Sequence, residues 1–178
     1  MSQILIRPAA AGDIAALQAL IQSAYRGDAA RGGWTHEADL LDGQRIDPAG
    51  LADILADPDQ HLLVAEGTDG ALLGCVEVAD HGGGIAYLGL LSVAPQVQAN
   101  GLGKQLIAAA ETVARDHLGA SRMEMTVIRQ RSELIAYYER RGYRLTGEER
   151  PFPYGDERFG LPRTDALGFV VLARTLRA

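Results

Sequence analysis

Two glycines with a lysine directly behind them stand out in the run VAPQVQANGLGKQL, residues 93–106. Gly101 and Gly103 bracket a turn, and Lys104 is the only lysine in a chain that carries sixteen arginines. A helix starting there presents backbone N–H groups without intrahelical partners and a partial positive charge. Glycine lets an anion approach them closely. The chemistry on offer is phosphate binding by the amides of residues 99–104, with Lys104 adding a full charge. Without a ligand, the same residues make a glycine-containing connection with an exposed lysine. Two well-known phosphate loops fail on spacing. A dinucleotide loop wants a third glycine where Leu106 stands, and a Walker loop wants Ser or Thr where Gln105 follows the lysine.

Two irregular stretches hold most of the remaining polar recognition groups. RGGWTHEADLLDGQRID (31–47) contains the only tryptophan, Trp34, with His36, Glu37, Asp39, Asp42 and Arg45. RPFPYGDERFGLPRTD (150–165) contains Phe152, Tyr154, Asp156, Glu157, Arg158 and Arg163. Long irregular segments in a compact domain tend to carry function. Trp34 could equally pack its loop onto the core, with the charges solvated. His36–Glu37 lacks a second nearby histidine, which is poor ligand spacing, so no metal is expected.

The elements that must position these groups follow from periodicity. ILIRPA opens as a strand, and Ile14, Leu17, Leu20, Ile21 and Tyr25 recur at helical spacing behind Asp13 as a cap. A short helix is expected from about Pro48 to Leu55. HLLVAEG and ALLGCVEVAD read as a hairpin across GTDG, and IAYLGLLSVAP as a long strand buried on both faces. The glycine turn then leads into the helix LGKQLIAAAETVARDHLG. SRMEMTVI reads as a strand, RSELIAYYERRGY as a helix ended by Gly142, and YRLTGEE and LGFVVLARTL as closing strands. The order βααβββαβαββ predicts an α/β (α+β) fold. It is a mixed, mostly antiparallel sheet of about seven strands with helices packed on both faces. No repeat or linker divides the chain, so residues 1–178 read as one domain.

Composition narrows the partners. The chain has a formal net charge of −6 and a pI near 5.2, which disfavours nucleic acid. Its single cysteine, Cys75, excludes an internal disulfide or cysteine cluster and reads as a small buried hydrophobe. No apolar run spans a bilayer and the start lacks a signal peptide's pattern, so a soluble, cytoplasmic protein without a membrane partner is expected.

The pattern Gln98-Ala99-Asn100-Gly101-Leu102-Gly103, preceded by Leu91-x-Val93-x-Pro95, resembles the acyl-CoA-binding motif of the GNAT superfamily of N-acetyltransferases. ELIAYYERRGY resembles that superfamily's next motif, and the element order is also its order. The residue-level likeness is strong over about 86–145. It implies acetyl-CoA as co-substrate. The backbone of Leu91 and Val93 would pair with the pantetheine arm where the sheet splays apart. Amides from Gln98 to Lys104 would hold the diphosphate, and an N–H near Ser92 would polarise the thioester carbonyl. Tyr138 would be the general acid that reprotonates the thiolate; otherwise it is a packed aromatic, since Tyr137 and Tyr138 point to different sides and only one need be core. The two irregular stretches would form the acceptor pocket, with Trp34, Glu37 and Arg45 as contacts.

Two departures stand out. Many members carry asparagine seven residues before the tyrosine; here it is Arg131, which either reaches a phosphate or is exposed. Arg129, Arg140 and Arg141 are further phosphate candidates. Many members also carry a strand glutamate as base, but this stretch reads Tyr87-Leu88-Gly89-Leu90. Glu77 on the neighbouring strand is the substitute, unless it is a solvated carboxylate or a water relay serves; Glu124 is a weaker candidate. The resemblance thus implies transfer of an acetyl group to the primary amine of a small, amino-acid-like molecule by direct attack. The alternatives are a protein N-terminal or lysine acetyltransferase and a non-catalytic acyl-CoA sensor. A homodimer is compatible with the sequence.

Overall fold

A computed structural model describes residues 3–25, 41–42, 46–154 and 161–177. The chain runs β1 (Leu5–Pro8), a 3-10 turn (Ala11–Asp13), α1 (Ile14–Tyr25), β2 (Leu41–Asp42), α2 (Pro48–Ala56), β3 (Gln60–Glu66), β4 (Leu72–Asp80) and β5 (Ile85–Val93). It continues through a second 3-10 turn (Pro95–Asn100), α3 (Leu102–Asp116), β6 (Arg122–Ile128), α4 (Ser132–Arg140), β7 (Arg144–Pro151), β8 (Leu161–Pro162) and β9 (Gly168–Thr175). Seven strands form one sheet in the order β1-β3-β4-β5-β6-β9-β7. Among the described residues β5–β6 is parallel and the other neighbours are antiparallel. This is the mixed, mostly antiparallel sheet expected from the sequence. The two-residue ladder of β2 with β8 is additional, and is too short to leave a sequence pattern.

The helices cover both faces of the sheet. α1 buries Leu17, Leu20, Ile21, Ala24 and Tyr25, a stripe at helical spacing, against α2 and the face carrying Leu62, Val64 and Cys75. α2 starts where Asp47 accepts from the Gly50 N–H (2.7 Å) and Pro48 takes the first turn. On the other face, Leu102, Leu106, Ile107 and Ala110 of α3 and Leu134, Tyr137 and Tyr138 of α4 pack on Val76, Val78, Met123 and Met125. Each fully buried Leu or Ile there contributes about 1.5–3 kcal/mol. Behind α4, Gly142 at φ 96° lets its N–H reach the Glu139 carbonyl (3.0 Å) and the Tyr143 N–H reach the Tyr138 carbonyl (3.1 Å). That is the helix end the glycine predicted. No helix among the described residues is long and apolar enough to cross a membrane.

Asp13 does not cap α1 as the sequence suggests. A 3-10 turn precedes the helix, so its carboxylate reaches back to the Ala10 N–H (2.8 Å) and takes both terminal nitrogens of Arg7 (2.9 and 3.0 Å). Arg7 also donates to Glu66 (2.7 Å), tying the start of α1 to β1 and β3.

Candidate active site

Strands β5 and β6 pair only over Ile85–Tyr87 with Arg122–Glu124, then separate. The hydroxyls of Tyr87 and Thr126 are hydrogen-bonded close to where the pairing ends. Beyond it opens a cavity of about 260 Å³ walled by both strands, by Tyr25 of α1, by one face of α4, and by Phe152 and Phe169. The splay expected from the resemblance is therefore present. On its other side β5 carries a bulge against β4: Cys75 faces Ser92 and Glu77 faces Gly89, so Val76 opposes both Leu90 and Leu91. Leu90 takes φ 50°, a conformation a leucine adopts only under constraint. Three side chains hold it there. Cys75 Sγ (3.4 Å) and Ser92 Oγ (3.0 Å) donate to the Leu90 carbonyl, and Tyr25 Oη donates to the Leu91 carbonyl. Tyr25 is thus more than the apolar helix position the sequence suggests.

Arg131, the residue that caps the start of α4, lines the cavity together with Leu134 and Tyr138 of the helix. Tyr138 is only 5% exposed. Burial pushes its phenol well above the ordinary value of 10, with Tyr25 and Tyr137 adding to the shift and Arg131 opposing it. The phenol is therefore a proton donor throughout the neutral range. Tyr137 turns the other way: a Cβ at Gly103 would stand 2.7 Å from its hydroxyl, and the Arg141 guanidinium lies 4.4 Å above its ring. The expectation that the two tyrosines diverge holds. Arg131 is not the exposed side chain of one reading: it is 9% exposed and part of the cavity wall.

The glycine turn adjoins this site. The 3-10 turn Pro95–Asn100 ends at Gly101 with φ 75° and ψ 10°, and α3 starts at once. Gly101 is required by its left-handed backbone. Gly103 is required by Tyr137, a packing reason that the glycine pattern alone does not reveal. Lys104 is exposed on the first turn. The Tyr137 and Tyr138 rings are 5.5 Å apart, so a single aromatic separates the helix start from Tyr138.

On the face covered by α1, Glu77 Oε2 lies 3.3 Å from where a Cβ at Gly89 would be, and the Tyr87 ring lies equally close. His81 stacks on Tyr87 at 4.9 Å. Gly89, in the stretch that lacks the expected strand glutamate, thus leaves room for a carboxylate from the next strand. Glu124 sits beside Arg122 (3.3 Å). Arg129 is engaged within the protein: it donates to the Ala166 carbonyl (2.9 Å) and lies 3.9 Å from Glu149. Tyr154 is likewise committed, donating to the Thr164 carbonyl (3.0 Å) and accepting from the Leu167 N–H (2.7 Å). Trp34, His36, Glu37, Asp39, Arg45, Asp156, Glu157 and Arg158 lie outside the described residues. Among those described, no three His, Cys, Asp or Glu side chains gather as metal ligands. Tyr25, Thr126 and Phe169 also line the cavity, and no sequence motif marks them. Only the aromatic character of Tyr25 and Phe169 hinted at them.

No curated protein sequence matches this chain significantly. Solved structures do. A nourseothricin acetyltransferase is similar at 22% identity over 98% of this chain and 99% of its own, with a TM-score of 0.68. A ribosomal-protein alanine N-acetyltransferase from Escherichia coli matches at 15% identity over 99% and 96%, with a TM-score of 0.71. A spermidine/spermine N-acetyltransferase from Vibrio cholerae matches at 16% identity over 98% and 93%, with a TM-score of 0.66. At these identities the likeness is one of fold. The family model described as the acetyltransferase (GNAT) family matches residues 16–143, most of the chain, including the splayed strands, the glycine turn and Tyr138. The chain belongs to the GNAT family of acetyltransferases.

Proposed function

We propose that the protein transfers the acetyl group of acetyl-CoA to the primary amine of a small, amino-acid-like molecule by direct attack. The observation that carries this reading is the buried Tyr138 in the wall of the cavity opened between β5 and β6. The cavity and the helix start beside it fit acetyl-CoA. The helix start offers backbone donors to a diphosphate, and the parting strands leave β5 without a β6 partner beyond Tyr87.

Acetyl-CoA supplies an activated thioester. Main-chain amides of Gln98, Ala99, Asn100, Gly101, Leu102, Gly103 and Lys104 hold its diphosphate, with the Lys104 ammonium adding charge. Leu91 and Val93 align the pantetheine arm along β5. The Leu91 carbonyl already accepts from Tyr25, but a carbonyl carries two lone pairs. A backbone N–H near Ser92 donates to the thioester oxygen, where charge grows during attack. The neutral amine forms the new C–N bond as the C–S bond breaks. Its surplus proton leaves toward Glu77 through water, and Tyr138 gives its phenolic proton to the departing sulfur. Trp34, Glu37 and Arg45 contact the acceptor.

Thiol release from acetyl-CoA in the presence of pooled amines tests the reading. Amine-dependent release is expected, and Tyr138→Phe should lower kcat by roughly 10²–10⁴-fold with acetyl-CoA affinity nearly unchanged. No release with any amine, alongside retained acetyl-CoA binding, would leave a sensor instead. Collapse of acetyl-CoA binding in the Phe variant would make Tyr138 structural.

A further inference from the structure

Tyr87 and Thr126 share a hydrogen bond between their hydroxyls where β5 and β6 part, and both line the cavity. The ladder ends on the rung of Tyr87 and Glu124, so Gly89 would face Thr126 if the same register ran on. Side chains two apart share one face of a strand, which puts Tyr87, Gly89 and Thr126 on the same side of the sheet. Gly89 has no side chain to fill that side, and the Tyr87 ring leans over it. The ring edge is 3.3 Å from where a Gly89 Cβ would stand. His81 stacks on the ring at 4.9 Å, nearly parallel to it. The phenol thereby reaches Thr126, two residues beyond its own rung partner. We propose that the Tyr87–Thr126 bridge is a strut that fixes the width of the slot for the pantetheine arm of acyl-CoA, which makes the two side chains positioning residues. This rests on the acetyltransferase reading above and adds what holds the slot in shape.

A slot between parted strands needs such a tie. Paired strands lie about 4.8 Å apart, held at each rung by backbone hydrogen bonds. Beyond Tyr87 no ladder bond between β5 and β6 sets their separation. Strands free to close would resume pairing and shut the slot, and strands free to spread would lose the arm. A side-chain bond across the gap resists both movements. The phenol suits the task because its ring is rigid, and here it is packed on His81 and over Gly89. Gly89 is part of the device, since a side chain there would meet both the ring and Glu77 Oε2 at 3.3 Å. Toward β4, the shape of β5 is already set by the hydrogen bonds on the Leu90 and Leu91 carbonyls. The strut supplies the matching constraint toward β6. Tyr87 and Val93 stand six residues apart on β5, about 20 Å along the strand, and the glycine turn follows Val93. The strut therefore acts on the arm and not on the diphosphate.

The test reads binding and needs no amine. Affinities for CoA and for its armless half, 3′-phosphoadenosine 5′-diphosphate, are measured on the wild type, Tyr87→Phe, Thr126→Val, Thr126→Ser and the double variant of Tyr87→Phe with Thr126→Val. A urea titration accompanies each. Tyr87→Phe and Thr126→Val should each weaken CoA by about 3–10-fold, the loss of one hydrogen bond. The armless half should change by less than about twofold. The double variant should bind CoA no worse than the weaker single one, because both changes remove the same bond. Thr126→Ser keeps a hydroxyl and should bind CoA within about twofold of the wild type. A lower urea midpoint with unchanged CoA affinity overturns the proposal and leaves a purely structural bond. Equal losses for both ligands overturn it, because the loosening is then general. Additive losses in the double variant overturn it as well, because each side chain then acts alone. Should Tyr87→Phe not fold, Thr126 decides: a weakened Val and a restored Ser support the strut, and equal affinities sink it. Failure of the acetyltransferase reading shows separately, in a wild type that binds no CoA and releases no thiol.

Discussion

Tyr137 and Tyr138 are adjacent in sequence and do different work. Tyr138 lines the cavity, and burial holds its phenol well above the ordinary value. Tyr137 packs its hydroxyl against Gly103, under the guanidinium of Arg141. A methyl group at position 103 would meet that hydroxyl at 2.7 Å, and the buried, stacked ring has little room to yield. Gly103→Ala should therefore destabilise the fold by about 1–3 kcal/mol. Tyr137→Phe should restore most of this in the double variant, because it removes the atom in the way. Urea midpoints of the two single variants and the double would show it. Purely additive losses would mean that Gly103 matters for some other reason.

Between residues and the whole lies the bulge of β5, which sets the direction of the strand edge facing the cavity. Leu90 is held at φ 50° by hydrogen bonds to its own carbonyl and by the clamp of Tyr25 on the next one. The clamp reaches across from α1, which is pinned to β1 and β3 through Arg7, Asp13 and Glu66. Tyr25→Phe keeps the buried ring and removes only the donor. It should cost about 0.5–1.5 kcal/mol. It should also lower kcat more than it raises the KM for acetyl-CoA, since the amides around Ser92 lose their aim. Steady-state kinetics with a denaturant titration separates the two effects. Unchanged kcat with lost stability would confine Tyr25 to packing.

For the molecule as a whole, buried phenols shape the response to pH. Burial, with Glu111 beside it, pushes Tyr143 far above its ordinary value of 10, and burial raises Tyr138 likewise. Both ionise near that ordinary value once the chain unfolds. Above it the folded protein binds more protons than the unfolded one, so stability falls as pH rises; below it the contribution is fully present. The acid side has the opposite sign. Arg7 holds the Asp13 carboxyl below the usual carboxylate range, so its contribution is present at neutral pH and fades as pH drops through the folded value. Melting temperatures between pH 8 and about 11 should fall, and Tyr143→Phe should make the fall shallower. An identical slope in that variant would show that ionisation of Tyr143 plays no part.

Local physics made much of this legible in the sequence. Helical spacing marks α1, α3 and α4, continuous apolar runs mark β5, and turn chemistry marks Gly101 and Gly142, because each depends on residues close in the chain. The turn before α3 and the place of Tyr138 on α4 were readable for the same reason. Other features depend on contacts distant in sequence. Tyr25 meets the Leu91 carbonyl across 66 residues, and Glu77 meets Gly89 across a strand pair. The separation of β5 from β6 depends on where their pairing stops. Arg131 is the sharpest case: its sequence position says only that it precedes a helix. Only packing of α4 over the parted strands turned that arginine inward, because burial belongs to the assembled surfaces and not to the segment that carries the charge.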